Sequence, residues 1–260
     1  MTESSDEILY SVCDGIGTIT LNRPQARNAL TFGMYERIAA LCADPAGHGA
    51  RVLVLTGAGD KAFAAGTDIS QFRAFATPRD ALDYEERIER IVETISRAPV
   101  PTIAAIAGAV TGGGAAIACA CDLRIAAASA RFGFPIARTL GNCLSMKNYA
   151  RLAGLIGAAR VKDLIFTARL MEAEEGHRIG LYSEVLPDHA ALMARADALA
   201  RTIAGHAPLT LQVTKQALAR IADGAVGRDD DLILTCYMSE DFQEGREAFL
   251  AKRPPVWKGR

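Results

Sequence analysis

A mixed α/β core running to residue 188, followed by a part made of helix alone, is the fold class the sequence predicts. Three observations carry that prediction. Short apolar runs of buried-strand type alternate with helical spacing as far as Leu186, and from His189 onward every periodic stretch is helical. Two glycine-bearing segments, around Gly66 and Gly112, each follow a strand. At 260 residues, half of them apolar, the chain fits one large domain or one domain with an appendage.

Residues 8–22 read as a hairpin turning at Asp14-Gly15. Asn22-Arg23-Pro24-Gln25-Ala26-Arg27-Asn28 is a loop, and residues 31–43 have helical spacing. Arg51-Val52-Leu53-Val54-Leu55-Thr56 has the continuous apolar run of a strand covered on both faces, and a loop follows over 57–75. Residues 80–96 form a charged amphipathic helix with Leu82, Ile88, Ile91, Val92 and Ile95 as apolar positions; Pro99 and Pro101 stop it. A strand at 102–106 leads through a glycine turn into a helix at 113–120. Strands at 123–126 and 130–133, helices at 145–155, 158–167 and 172–180, and a strand at 183–186 complete the core. Helices at 189–204, 208–222 and 229–252 end the chain. No internal repeat is visible in the residues.

The net charge is −1 with both signs mixed along the chain, so neither a nucleic acid nor an anionic membrane surface is expected as partner. Residues 1–10 are acidic and polar, without the basic and apolar regions of a leader, and a cytoplasmic protein is expected. Residues 101–121 carry no charge and imitate a membrane span. They are mostly Ala, Gly and Thr, whose transfer energy is weak, so a strand, a turn and a buried helix fit them better. Cys13, Cys42, Cys119, Cys121, Cys143 and Cys236 lack disulfide or Cys-x-x-Cys spacing and read as buried free thiols. His48, His177, His189 and His206 are scattered, so no metal site is expected.

The chemistry lies in Lys61-Ala62-Phe63-Ala64-Ala65-Gly66-Thr67-Asp68-Ile69 and Gly108-Ala109-Val110-Thr111-Gly112-Gly113-Gly114. Backbone N–H groups converging on one oxygen stabilise an enolate or a tetrahedral oxyanion without using a side chain, which points to acyl chemistry. Alone, the glycine triplet would serve tight helix–strand packing equally well. Gly57-x-Gly59-x-x-Ala62 imitates a dinucleotide fingerprint, but residues 63–68 continue as loop where that fold needs a helix. There is no Gly-x-Ser-x-Gly elbow of a serine hydrolase.

With these segments in view, the chain resembles the crotonase superfamily of enoyl-CoA hydratases and isomerases nearly end to end. Leu21-Asn22-Arg23-Pro24 with Asn28-Ala29-Leu30 is similar to its early loop, and the two glycine-bearing segments to its oxyanion segments. Cys121-Asp122-Leu123-Arg124-Ile125-Ala126 continues the second, and residues 240–254, with Ala248-Phe249 and Lys252-Arg253-Pro254, are similar to its C-terminal helix. The resemblance implies a spiral of β-β-α turns over residues 1–188 and a helical trimerisation region over 189–260. It implies an acyl-CoA thioester substrate, no other cofactor, and a homotrimer or a dimer of trimers. The N–H groups of Thr67 and Gly113 would grip the thioester oxygen. Arg23, Ala26 and the backbone of Ala64, Ala65, Gly66 and Asp68 would meet coenzyme A, and Phe249 and Lys252 would close over it from the same or a neighbouring subunit.

The sequence departs from that family where its hydratases carry two glutamates: Ala116 and Ile136 stand there, and neither moves a proton. Ordinary hydration is therefore doubtful, and isomerisation, decarboxylation, C–C cleavage or CoA-thioester binding without chemistry stay open. Arg138 is a candidate for binding a substrate carboxylate and Cys143 for a thiol base or nucleophile, against a salt bridge and an inert buried thiol. Asn142 and Ser145 either position water or cap a helix. Tyr84, Glu85, Glu86 and Glu89 could reach the acyl pocket; the blander reading, a solvated face with pairs such as Glu86–Arg90, is preferred. Asp68 and Asp122 read as loop-ordering residues.

Overall fold

The computed structural model describes residues 7–73 and 75–260; residues 1–6, where most of the polar N-terminal segment falls, and residue 74 lie outside them. β1 (Ile8–Cys13) and β2 (Ile16–Leu21) pair antiparallel across Asp14 and Gly15, whose φ of 53° and 80° is what a two-residue hairpin turn requires. β2 then pairs in parallel with β3 (Val52–Gly57), β3 with β5 (Thr102–Ile106), β5 with β7 (Leu123–Ala127) and β7 with β10 (Glu184–Leu186), giving a six-stranded sheet. A smaller sheet joins β4 (Ala62–Ala64), β6 (Ala109–Thr111) and β8 (Arg131–Gly133) in parallel, with β9 (Met171–Glu172) antiparallel at its edge.

Each turn of the chain thus gives one strand to the large sheet and the next to the small one: β3 then β4, β5 then β6, β7 then β8. Helix α2 (Pro78–Ser96) follows the first of these pairs and α3 (Gly112–Ala120) the second, which is the expected β-β-α spiral. The repeat escapes the sequence because the turns share geometry and not residue types. β4 and β6 fall where a loop and a turn were expected; three residues are too few to display a period of two.

Alternate residues of the large sheet face opposite ways, and both faces are covered. Leu53, Leu55, Ala104 and Ile106 pack inward with α1 (Phe32–Ala43), α2 and α3. Val52, Val54, Ile103 and Ala105 pack outward against Leu192, Ala196 and Ala200 of α8 (His189–Ala204). Hence β3 reads as an unbroken apolar run. The change in character at residue 188 is one of element type, since α8 belongs to the core. Helix α9 (Pro208–Ala222) has no fully buried residue. The helix expected over 229–252 is two, α10 (Asp230–Tyr237) and α11 (Glu240–Leu250). They divide at Ser239, whose hydroxyl accepts the Phe242 N–H at 3.0 Å and so starts the second.

The uncharged stretch 101–121 is divided among β5, β6 and α3, and no helix among the described residues is long and apolar enough to cross a membrane. The thiols do not all behave as expected. Cys42, Cys119 and Cys121 are buried, and burial pushes the Cys42 thiol up to about 12 and Cys119 to about 11. Cys13, the last residue of β1, and Cys143, in the segment between α4 (Ile136–Thr139) and α5 (Met146–Ile156), are exposed.

Candidate active site

The two glycine-bearing segments meet at one cavity. Leu30 bridges Thr67 in parallel: its N–H donates to the Gly66 carbonyl at 2.8 Å, and its carbonyl accepts the Asp68 N–H at 2.8 Å. Successive amides of an extended chain point to opposite sides, so the Thr67 N–H faces away from Leu30, with no acceptor among the described residues. Gly113 lies in the first turn of α3, where an N–H has no intrahelical partner and the helix dipole is positive. A Cβ on Gly113 would stand 3.1 Å from Thr67 Oγ1 and 1.8 Å from the Tyr35 hydroxyl, so only glycine fits. One on Gly114 would lie 2.5 Å from the Ala64 carbonyl oxygen. The triplet therefore serves close packing and leaves donors free at once.

Beneath these donors runs a chain of hydroxyls. Thr67 Oγ1 lies 2.8 Å from the Tyr35 hydroxyl and 3.1 Å from that of Tyr84. Burial raises both phenols above their ordinary range, so they act as neutral hydrogen-bonding groups. Tyr84 is held in turn by the rings of Phe72 and Phe75, with centroids 4.9 and 5.7 Å away.

The cavity, about 220 Å³, is walled by Thr67, Gly113, Ala116 and Ile136, by Tyr84, Glu85 and Ile88 of α2, and by the segment 139–144 with Asn142 and Cys143. Ala116 and Ile136 are buried in this wall. Glu85 is half-buried; burial, and after it the charge of Glu89, holds its carboxyl above the usual carboxylate range. It has no hydrogen bond or ion pair among the described residues.

This corrects the reading of α2 as a solvated face. Its buried residues are Ile88, Ile91, Val92 and Ile95. Counting back from Ile88 by three and four gives Glu85 and Tyr84, so both continue the inward stripe. Glu86 faces out, and no Glu86–Arg90 pair forms among the described residues; α2 instead makes ion pairs Arg79–Asp83, Arg87–Glu36, Arg97–Glu93 and Arg151–Glu93. The signal was the phase of the apolar positions, which charge composition obscured.

The other candidates divide. Arg138, on the short helix α4 (Ile136–Thr139), is exposed and does not line the cavity, because the one-turn helix that buries Ile136 turns it outward. Cys143 lines the cavity but is exposed, not a buried thiol. Ser145 caps α5 (Met146–Ile156), accepting the Asn148 N–H at 3.2 Å, and donates to Glu89; Asn142 lines the cavity and caps nothing. Asp68 orders its loop: hydrogen bonds from Ser70, then from Arg23, keep its carboxyl below the usual range. Asp122 accepts from Thr102 and Lys215. Arg23 donates to the Ala29 carbonyl and pairs with Asp68 at 2.9 Å and Glu7 at 3.2 Å. Ala65 and Gly66 line the cavity, with Ala64 behind them in β4 and Ala26 in the 3-10 turn Pro24–Ala26. Phe249, 84 % exposed, and Lys252 sit at the end of α11 and do not reach the cavity of their own chain. No cluster of potential metal ligands occurs among the described residues.

Residues 12–260 match the family model for enoyl-CoA hydratase/isomerase, so the chain belongs to the crotonase superfamily. Among similar proteins, a short-chain-enoyl-CoA hydratase of Clostridium acetobutylicum is 34% identical over 92% of each chain. A probable enoyl-CoA hydratase of Rhizobium meliloti is 37% identical over 99% of this chain and 100% of its own. The solved structure of a putative enoyl-CoA hydratase/isomerase family protein from Hyphomonas neptunium superposes with a TM-score of 0.91 at 34% identity, over 98% of both chains. The chain is an enzyme of the enoyl-CoA hydratase/isomerase type.

Proposed function

We propose that this protein binds an acyl-CoA thioester with its carbonyl oxygen between the N–H groups of Thr67 and Gly113, and that it catalyses reactions passing through the thioester enolate. The observation that carries the reading is the pair of unpartnered main-chain donors opening on one cavity. Donors fixed in place before the reaction stabilise negative charge as it develops on the oxygen, and losing one such donor typically costs about 10²–10³ in kcat. Ala65 and Gly66 meet the thioester arm of CoA, with the nucleotide beside Ala26 and Arg23; Arg23, already paired with two carboxylates, shapes this surface more than it supplies charge. The chemistry uses no group beyond the CoA of the substrate. Phe249 and Lys252 reach a CoA only in a neighbouring subunit of a homotrimer.

Decarboxylation assisted by Arg138 loses support, since that guanidinium lies outside the cavity. Hydration of crotonyl-CoA is expected to be slow beside that of a relative bearing two carboxylates, because Ala116 and Ile136 supply neither a base for water nor a proton. A panel of acyl-CoA thioesters tests the reading. Turnover of at least one member, with crotonyl-CoA hydration slow, is the expected outcome. Binding without turnover across the panel would identify a non-catalytic CoA-thioester protein instead, and rapid hydration would overturn the account of positions 116 and 136.

A further inference from the structure

We infer that Glu85, on the inward stripe of α2, is the acid/base of this cavity in place of the two glutamates that positions 116 and 136 lack. The inference rests on the acyl-CoA reading above. Along α2 the inward positions run Glu85, Ile88, Val92 and Ile95, three or four residues apart, so a carboxylate continues a stripe that is otherwise apolar. Its neighbour Tyr84 fixes the phase of the helix through the 3.1 Å contact to Thr67 Oγ1. Glu85 thereby shares a wall with Thr67, Gly113, Ala116 and Ile136. Among the described residues no cation lines the cavity, so none there neutralises the carboxylate, which stays free to take a proton.

One carboxylate suffices for a proton shuttle. Ionised Glu85 removes a proton from C2 of a 3-enoyl thioester, and the electron pair passes to the thioester oxygen as a dienolate held at Thr67 and Gly113. The same proton returns from Glu85 to C4 as the double bond forms between C2 and C3. Atoms and charge balance, and no water, oxidant or reductant enters. Substrate carboxylates are disfavoured twice: Arg138 is outside, and Glu85 itself repels a second negative charge. Burial, which raises the Glu85 carboxyl, also suits it to exchange a proton with a weak carbon acid.

The test follows 3-hexenoyl-CoA by the ultraviolet absorbance of the conjugated product, in the wild type and in Glu85→Gln. The wild type is expected to isomerise it faster than it hydrates crotonyl-CoA and to leave malonyl-CoA untouched. Glu85→Gln should lower kcat by about 10²–10⁴-fold, the usual contribution of a general acid–base group, with KM little changed. Glu85→Asp should restore part of the rate. Binding of butyryl-CoA labelled at the carbonyl carbon, read by its NMR shift, reports the two N–H donors separately. A wild-type rate in Glu85→Gln overturns the assignment of Glu85, and so does a wild type inert to 3-hexenoyl-CoA that still shifts the carbonyl. Absence of both binding and shift in the wild type overturns the acyl-CoA reading itself.

Discussion

At the scale of single residues, the site is set by what Gly113 and Glu85 leave unsatisfied. Gly113 admits no side chain: a methyl group there meets the Tyr35 hydroxyl at 1.8 Å. We expect Gly113→Ala to fold with displaced Tyr35 and Thr67 and to lose turnover by about 10²-fold or more, the scale of one oxyanion donor, checked by steady-state rates with circular dichroism as control. Glu85 carries a cost in stability. Its folded carboxyl holds a proton more tightly than the unfolded chain does, through burial first and Glu89 second. Stability from this group is therefore fully present below the unfolded value, about 4.3, and is lost as pH rises through the raised folded value. Facing it are Tyr84 and Glu89 on its own helix, Tyr35 on α1 and Cys143 across the cavity. Glu85→Gln should melt higher than the wild type at pH 7 and show little gain at pH 4; an equal difference at both would refute this. The glycines and the missing glutamates were legible as letters. Glu85 was legible only as one of four candidates beside a preferred solvated reading, because its placement depends on helix phase and a run reading Tyr84-Glu85-Glu86-Arg87 looks like solvent.

At the scale of elements, hairpin, buried strands and long helices follow from period and punctuation. Thr31, Thr77 and Asp188 cap α1, α2 and α8, each side chain accepting a first-turn N–H. What the sequence hides are β4, β6 and β9 of the small sheet and the break at Ser239, which depend on tertiary pairing and on one hydroxyl. Helix α9 illustrates how a helix without buried residues is secured. Lys215 Nζ donates to Asp122 Oδ2 at 2.6 Å and to the Val100 carbonyl at 2.9 Å, and Asp122 also accepts from the Thr102 N–H at 2.7 Å. Lys215→Ala strips one partner from a partly buried carboxylate, so unfolding free energy should fall by about 1–3 kcal/mol. Urea denaturation measures it, and protease cutting between α8 and α9 should rise in parallel. No loss of stability would mean that α9 is anchored by other contacts.

At the scale of the whole molecule, the spiral gives the cavity its form. Parallel strands stacked turn on turn place β4 beside β6, and the segments leaving them, 65–68 and 112–114, come together because β4 and β6 are neighbours. Helix α2 then lies across the opening with its inner stripe toward both. On the far side, α9 to α11 leave Leu218, Leu234, Tyr237, Met238, Phe249 and Leu250 exposed. The proposed trimer would bury these large apolar groups between subunits. Sedimentation should give about three times the mass of one chain, and Met238→Glu with Phe249→Glu should lower it. A wild type that sediments as one chain would contradict the trimer and leave Phe249 and Lys252 without a place at CoA.

The measurement that bears most directly on the site is the carbonyl ¹³C resonance of labelled butyryl-CoA bound to the wild-type protein. Two main-chain donors on the oxygen draw electron density from the carbon, so the signal should move downfield of its position in free solution. A bound thioester whose carbonyl signal stays at the free position would contradict the role of Thr67 and Gly113 as donors to that oxygen.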